Sequence, residues 1–254
     1  MILFRKHVAV LLAVLAGIAA TAYSVRAQPQ GQIPRPAPPS SPAPAIARDL
    51  IVLDPAHGGP DLGATLGDRV FEKDVTLAFA ARLRTALASA GFTVVLTRDA
   101  DPADPLSPDQ RADLANRAHA VACLVLHATS TGSGVHVYTS TLTPPLEDIA
   151  GDSPQFVPIP WDSAQAAYVR QSQRLARNLS AALAASSLPA IVGKAPLRPL
   201  DNLTCPAVAI ELAPLQSAAT PVTDAAYQQR VAGTLTGALR TWRDQAPSAQ
   251  GAAQ

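Results

Sequence analysis

Apolar residues in this chain come in short runs separated by helical patterns, and the runs stop where glycine or proline begins. Leu50-Ile51-Val52-Leu53 is continuous and ends at Asp54-Pro55-Ala56-His57-Gly58-Gly59, which predicts a buried strand running into a glycine loop. From Asp74 to Ala90, the residues Val75, Phe79, Leu83 and Leu87 recur every four positions and Gly91 follows, the pattern of an amphipathic helix and its stop. Phe92 to Leu96 and Val121 to Leu126 read as further buried strands, with a helix between them that starts at Ser107-Pro108 and leads to Ala118. Gly134 to Tyr138 predicts another strand, followed by a proline-rich loop as far as Pro160. A long helix is expected from about Ser163 to Ala185, with Val169, Leu175, Leu179 and Leu183 on or near one face. Ala207 to Leu212 is the last strand this pattern predicts, and Asp224 to Trp242 the last helix. Strands alternating with helices predict an α/β domain with a mostly parallel twisted sheet and helices on both faces. In such sheets, sites gather where strands end and loops begin.

Composition bounds what such a domain can do. The 254 residues allow one large domain or two small ones, and a hydrophobic content of 48% is ample for a core. Lys and Arg number 20 against 19 Asp and Glu, and a net charge of +1 excludes a strongly electrostatic grip on nucleic acid. Aromatics at 4% argue against a surface built for stacking on bases or sugar rings.

The N-terminus has three zones: a basic start with Arg5 and Lys6, an apolar run from Val8 to about Ala20, and the small-residue pattern Val25-Arg26-Ala27. This predicts a secretory signal over residues 1–27, cleaved after Ala27, with an uncleaved membrane anchor as the alternative. Those residues hold three bases and no acid, so removing them leaves 17 bases against 19 acids and a balance of −2. Residues 28–47, with Pro34, Pro36, Pro38, Pro39, Pro42 and Pro44, predict a disordered, extended tether. Residues 48–245 are then one working domain without internal repeats, and 246–254 a disordered tail. Export to the periplasm, the cell envelope or the outside follows from this reading, with no membrane-spanning segment left after cleavage.

Three candidate metal ligands fall where strands meet loops: His57 after the first strand, Glu72 at the start of the first helix, and His127 at the end of a central strand. Two imidazoles and one carboxylate leave an open position on Zn²⁺, the pattern of a catalytic zinc site. A fourth polar residue, Glu211, interrupts the apolar run Ala207-Val208-Ala209-Ile210-Glu211-Leu212, where a carboxylate is costly to bury without a partner or a task. If it faces the metal, it is the natural general base; the plainer reading is a structural ion pair with Arg198.

These residues also carry a resemblance. Ile51 to Ala64, read as Ile-Val-Leu-Asp-Pro-Ala-His-Gly-Gly-Pro-Asp-Leu-Gly-Ala, resembles the opening motif of the zinc-dependent N-acetylmuramoyl-L-alanine amidases of bacterial cell-wall turnover, the AmiC-like group (amidase type 3). Phe71-Glu72-Lys73, Leu96-Thr97-Arg98, Arg111 with Ala115-Asn116, Leu124-Val125-Leu126-His127-Ala128, and Leu197-Arg198 followed by Pro206 to Glu211 continue the likeness in order, from about Leu50 to Trp242. The resemblance implies one Zn²⁺ held by His57, Glu72 and His127, with Glu211 activating the metal-bound water and later delivering a proton to the leaving amine. The bond implied is the amide between the lactyl group of N-acetylmuramic acid and the L-alanine of the peptidoglycan stem peptide. Three positions depart from the family pattern without removing a ligand: Ala56 replaces the usual glycine, Thr129 a common asparagine, and Ala213-Pro214 the usual Gly-Phe.

Two other readings stay open at this stage: a degenerate amidase that binds wall fragments without cutting, and a zinc peptidase or amidase of the same fold acting on another amide. His119 is expected on a solvated helix end and His136 on a strand edge, and neither falls in a motif position. Asp61 is expected to order the glycine loop or orient a ligand. Cys123 and Cys205 share a strand face with His127 and Glu211 by period-two spacing, which allows a disulfide or two buried free thiols. The resemblance would allow an extra helix that blocks the metal, but the interval from Thr139 to Pro160 is short and proline-rich, so against that family pattern a stand-alone catalytic domain without a self-blocking helix is expected; a monomer is expected too.

Overall fold

A computed structural model describes residues 47–144, 160–215 and 220–245. The expected signal, most of the tether, the tail and most of the proline-rich loop after Thr139 lie outside the described residues. The main sheet consists of β1 (Ala47–Pro55), β4 (Thr93–Leu96), β5 (Ala120–Ala128), β6 (Val135–Thr139), β7 (Ala190–Lys194) and β8 (Ala207–Leu212), in the spatial order β4-β1-β5-β8-β6-β7. Every neighbouring pair is parallel except β8 with β6, so the sheet is mostly parallel, as expected. A small hairpin, β2 (Thr65–Gly67) and β3 (Val70–Phe71), leads into the first helix. The helices are α1 (Glu72–Ser89), α2 (Pro108–Arg117), α3 (Val169–Ala185) and α4 (Ala225–Gln245).

The strands alternate strictly between two faces. Ile51, Leu53, Leu124, Leu126, Val208, Ile210, Val135 and Val137 point to one side and pack against α1, α3 and α4 through Phe79, Leu83, Leu179, Leu183, Val231 and Leu235. Val52, Cys123, Val125, Ala207 and Ala209 point to the other, where Ala112 and Ala115 of α2 meet Leu200 and Leu203. Helices thus cover both faces. Asp54, His127, Glu211 and His136 share the parity of this second, thinner face.

Helix α2 begins as its sequence predicts: the Ser107 hydroxyl accepts from Gln110 N and the Gln110 side chain accepts from Ser107 N, with Pro108 in the first turn. The long helix expected from Ser163 is broken. Trp161–Tyr168 is a 3-10 segment and regular α-helix starts only at Val169. The cause is Gln165, fully buried, whose amide donates to Leu203 O and Cys205 O and accepts from the Ser172 hydroxyl. That anchor holds the segment against the approach to β8. Strand β7 gave no periodic signal, because Ile191 and Val192 are exposed at the rim of the sheet. Cys123 and Cys205 form a disulfide, which resolves the pair of expectations for these residues in favour of the bridge. Among the described residues, no helix is long and apolar enough to cross a membrane.

Candidate active site

The carboxyl ends of β1, β5 and β8 lie side by side, and the side chains singled out by the sequence meet there. His57 follows β1 with a φ of 64°, left-handed backbone that a residue with a Cβ adopts only when its surroundings impose it. The imposition is visible. Arg98 Nε donates to Pro55 O (2.9 Å) and its Nη2 to Ala56 O (3.0 Å) and Lys73 O (2.7 Å). Arg111 Nη1 donates to Pro55 O and Nη2 to His57 O, at 2.8 and 2.6 Å. Two buried guanidiniums therefore hold three consecutive carbonyls, and Arg111 is itself paired with buried Asp54 at 2.8 Å. Ala56 is not among the positive-φ residues, so this position does not need the freedom of glycine.

Glu72 is the first residue of α1, where the helix dipole favours a carboxylate. Its Oε2 accepts from Ala64 N (2.9 Å) and lies 3.1 Å from His57 Nε2; its Oε1 accepts from Ala128 N (3.2 Å) and lies 2.8 Å from His127 Nδ1. Burial alone would raise this carboxyl, but the hydrogen bonds from His127, His57 and Ala64 outweigh it and hold Glu72 well below the usual carboxylate range. His57 is raised, chiefly by its hydrogen bond to Glu72, with Asp61 adding and burial opposing. Both oxygens of Asp61 lie within 3.0 Å of His57 Nδ1, so Asp61 orients the ring from behind. Gly63 makes the close approach possible: a Cβ there would stand 2.6 Å from His57 Cδ2 and 2.8 Å from Glu72 Oε2.

One ligating atom from each of His57, Glu72 and His127 lies within 4.8 Å of the other two. Two imidazoles and a largely buried carboxylate, each already oriented, form a donor set that suits a divalent metal of zinc's preference, so the residues present fit the group. The imidazole rings stand edge to face, 5.6 Å apart.

Glu211 is paired in register with His127 across the parallel strands β8 and β5, which puts their backbones ~4.8 Å apart on one face. Its side chain is 26% exposed. The partner suggested by the sequence, Arg198, is elsewhere, 3.9 Å from Asp162 in an exposed pair. His136 takes that place instead. It is not on a strand edge: β6 lies between β8 and β7, His136 faces Glu211 in the antiparallel register, and its Nδ1 is 2.7 Å from Glu211 Oε2. Tyr138, two residues on, has its hydroxyl raised by burial and then by the charge and hydrogen bond of Glu211. His119 is exposed beyond α2, as expected. Sequence reasoning missed His136 because the signal, a histidine alternating with Val135 and Val137, shows which face it takes and not which strand it neighbours.

The departures from the family pattern are absorbed locally. Thr129 Oγ1 accepts from Thr131 N (3.2 Å), turning the loop after β5. Ala213 N donates to Gly134 O and Gly134 N to Pro214 O, while the Tyr227 hydroxyl donates to the carbonyls of Ala213 and Gly134.

A largely parallel sheet with a His-Glu-His cluster at its carboxyl end defines an α/β protein with a candidate metal site. Residues 51–241, well over half of the chain, match the family model described as N-acetylmuramoyl-L-alanine amidase, and the chain belongs to that family. It is 48% identical over 56 residues to the germination-specific N-acetylmuramoyl-L-alanine amidase of Bacillus subtilis, covering 22% of this chain and 23% of that one. It is 28% identical over 199 residues to N-acetylmuramoyl-L-alanine amidase Rv3717 of Mycobacterium tuberculosis, covering 68% and 77%. The catalytic domain of the amidase CwlV from Bacillus (Paenibacillus) polymyxa var. colistinus has the same fold, with a TM-score of 0.58 at 24% identity over 77% of this chain and 98% of that one. The chain spans about a quarter of the length of the first of these curated relatives.

Proposed function

We propose that this chain is a zinc-dependent N-acetylmuramoyl-L-alanine amidase that cleaves the amide between the lactyl group of N-acetylmuramic acid and the L-alanine of the stem peptide. The observation that carries the reading is the meeting of His57, Glu72 and His127 within 4.8 Å, with Glu211 in register beside His127. His57, Glu72 and His127 would hold the ion, with Asp61 fixing the His57 ring and the Arg98 and Arg111 guanidiniums fixing the backbone on which it stands. When bound, zinc supplies a Lewis acid that polarises a carbonyl and lowers the pKa of water toward ~7. Glu211, partly exposed at the strand end, takes the proton from the attacking water and hands it to the departing amine nitrogen. The three-zone pattern of residues 1–27 and the prolines of 28–47 support export of the domain on a tether, to where peptidoglycan lies.

Purified sacculi, metal analysis and mass spectrometry of the released fragments test this together. The expected result is one zinc per chain, release of stem peptides with a free L-alanine amine, and loss of release with a chelator or in Glu211→Ala. Binding to sacculi without release would identify a wall-binding module instead, and fragments cut at another bond would assign a different substrate to the same site.

A further inference from the structure

His136 is a buried imidazole that the metal cluster does not use, aimed at a residue the reaction does. Its side chain is 10% exposed and closely housed. Gly132 has a φ of 83°, and a Cβ there would stand 2.6 Å from His136 Cε1 and 3.0 Å from Nε2, so the loop before β6 closes over the ring only because position 132 is glycine. Tyr138 closes the next side, edge to face at 6.2 Å. Nδ1 is 2.7 Å from Glu211 Oε2, whereas Nε2 is buried without a hydrogen-bond partner. If Glu211 is the base, its carboxylate accepts in this contact and the donor is Nδ1–H.

Resting on the reading of Glu211 as the general base, we propose that His136 is the positioning residue of that base: its Nδ1–H anchors Oε2 and leaves Oε1 to exchange protons with water and the leaving amine. A carboxylate on a flexible two-carbon stem would otherwise sample several rotamers at the mouth of the site. The antiparallel pairing of β6 with β8 supplies the anchor from a strand that carries no metal ligand, and Tyr138 flanks the same carboxylate from two residues away. His136 thus acts on Glu211 and leaves the cluster of His57, Glu72 and His127 alone.

His136→Leu removes the donor and fills the housing with apolar volume, whereas His136→Asn keeps an N–H donor near the position of Nδ1. Losing a hydrogen bond to a charged group, His136→Leu is expected to lower kcat on sacculi by about 10- to 100-fold. Its KM, zinc content and thermal midpoint should stay close to those of the parent, and His136→Asn should recover most of kcat. A second readout needs neither metal nor turnover: with 15N-histidine in the metal-free protein, a slowly exchanging Nδ1–H signal assigned to His136 is expected, and it should vanish in Glu211→Ala. An unprotonated Nδ1, or a signal indifferent to Glu211, overturns the proposal, as does His136→Leu with parental kcat. Glu211→Gln separates the two failures. If that variant turns over normally, the reading of Glu211 as base falls; if it is inactive while His136→Leu is fully active, only the positioning role falls.

Discussion

The two faces of the central sheet are built on different physics. On one, Leu53, Leu126 and Ile210 are wholly buried among three helices, and stability comes from apolar area removed from water. On the other, the apolar layer is mostly alanine, valine and a disulfide, and it gives way at the strand ends to Asp54, His127, Glu211 and His136. There the groups are held by hydrogen bonds and charge pairing, each of which depends on a particular partner at a particular distance. One face therefore tolerates exchange of similar volumes, while the other should fail when a single donor is removed. Their juxtaposition places a site that must be oriented to fractions of an ångström on strands kept rigid from behind.

Cutting the polar face at its brace should produce the largest loss. Arg111→Leu leaves Asp54 charged, buried and without its guanidinium, at a cost of about 3–5 kcal/mol measured by urea unfolding. The same change frees the His57 carbonyl, so zinc retention during dialysis should fall as well. Combining it with Asp54→Asn should return part of the stability, since the orphaned charge is then gone, without restoring zinc retention. On the apolar face, Leu126→Ala should cost about 2–5 kcal/mol by leaving a cavity. Its turnover per folded molecule should stay near that of the parent, because Leu126 points away from the site. If Leu126→Ala lost activity while folded, the separation of the faces would be wrong.

Next in size is the disulfide, which ties β5 to the segment entering β8 on the site's own face. Replacing both cysteines, as Cys123→Ala with Cys205→Ala, should lower stability by about 2–4 kcal/mol, read as the shift in the urea midpoint against the oxidised parent. Gln165 and Asn116 hold the same approach: Gln165 donates to Cys205 O, and Asn116 accepts from Thr204 N at 2.7 Å. The strand should therefore still form, and the variant should stay active at temperatures where it remains folded.

How much of this was legible in the sequence follows from what each feature depends on. His57, Glu72 and His127 stand beside strong local punctuation, a strand entering a glycine loop, a helix start and a strand end, so their neighbourhoods could be recognised before their meeting was seen. Glu211 stood out because a carboxylate within an apolar run has no local reason to be there. His136 was misplaced because its importance depends on which strand lies beside which. The reversal that sets β6 antiparallel to β8 leaves no mark in either strand's residues. Arg98 and Arg111 fell within recognisable motifs, but their work on the carbonyls of residues 55–57 is a product of tertiary contact alone. Gln165, likewise, broke a helix whose periodicity was sound, since buried hydrogen bonds to residues 203 and 205 outweighed local preference.

The smallest effect is expected at the rim, and it tests the same contrast from outside. In β7, Ile191 is 55% exposed and Val192 48%, so neither face of this strand buries much apolar surface. Ile191→Thr keeps the β-branch that suits an extended backbone and removes little buried area, so its stability change should lie within about 0.5 kcal/mol. Turnover should be unaffected too, because β7 reaches the site only through β6, and the bond to Glu211 is made by His136. A loss of 2 kcal/mol or more, about the lower bound for a cavity in a core, would mean that the strand is covered in the folded protein. The apolar face would then extend past β6.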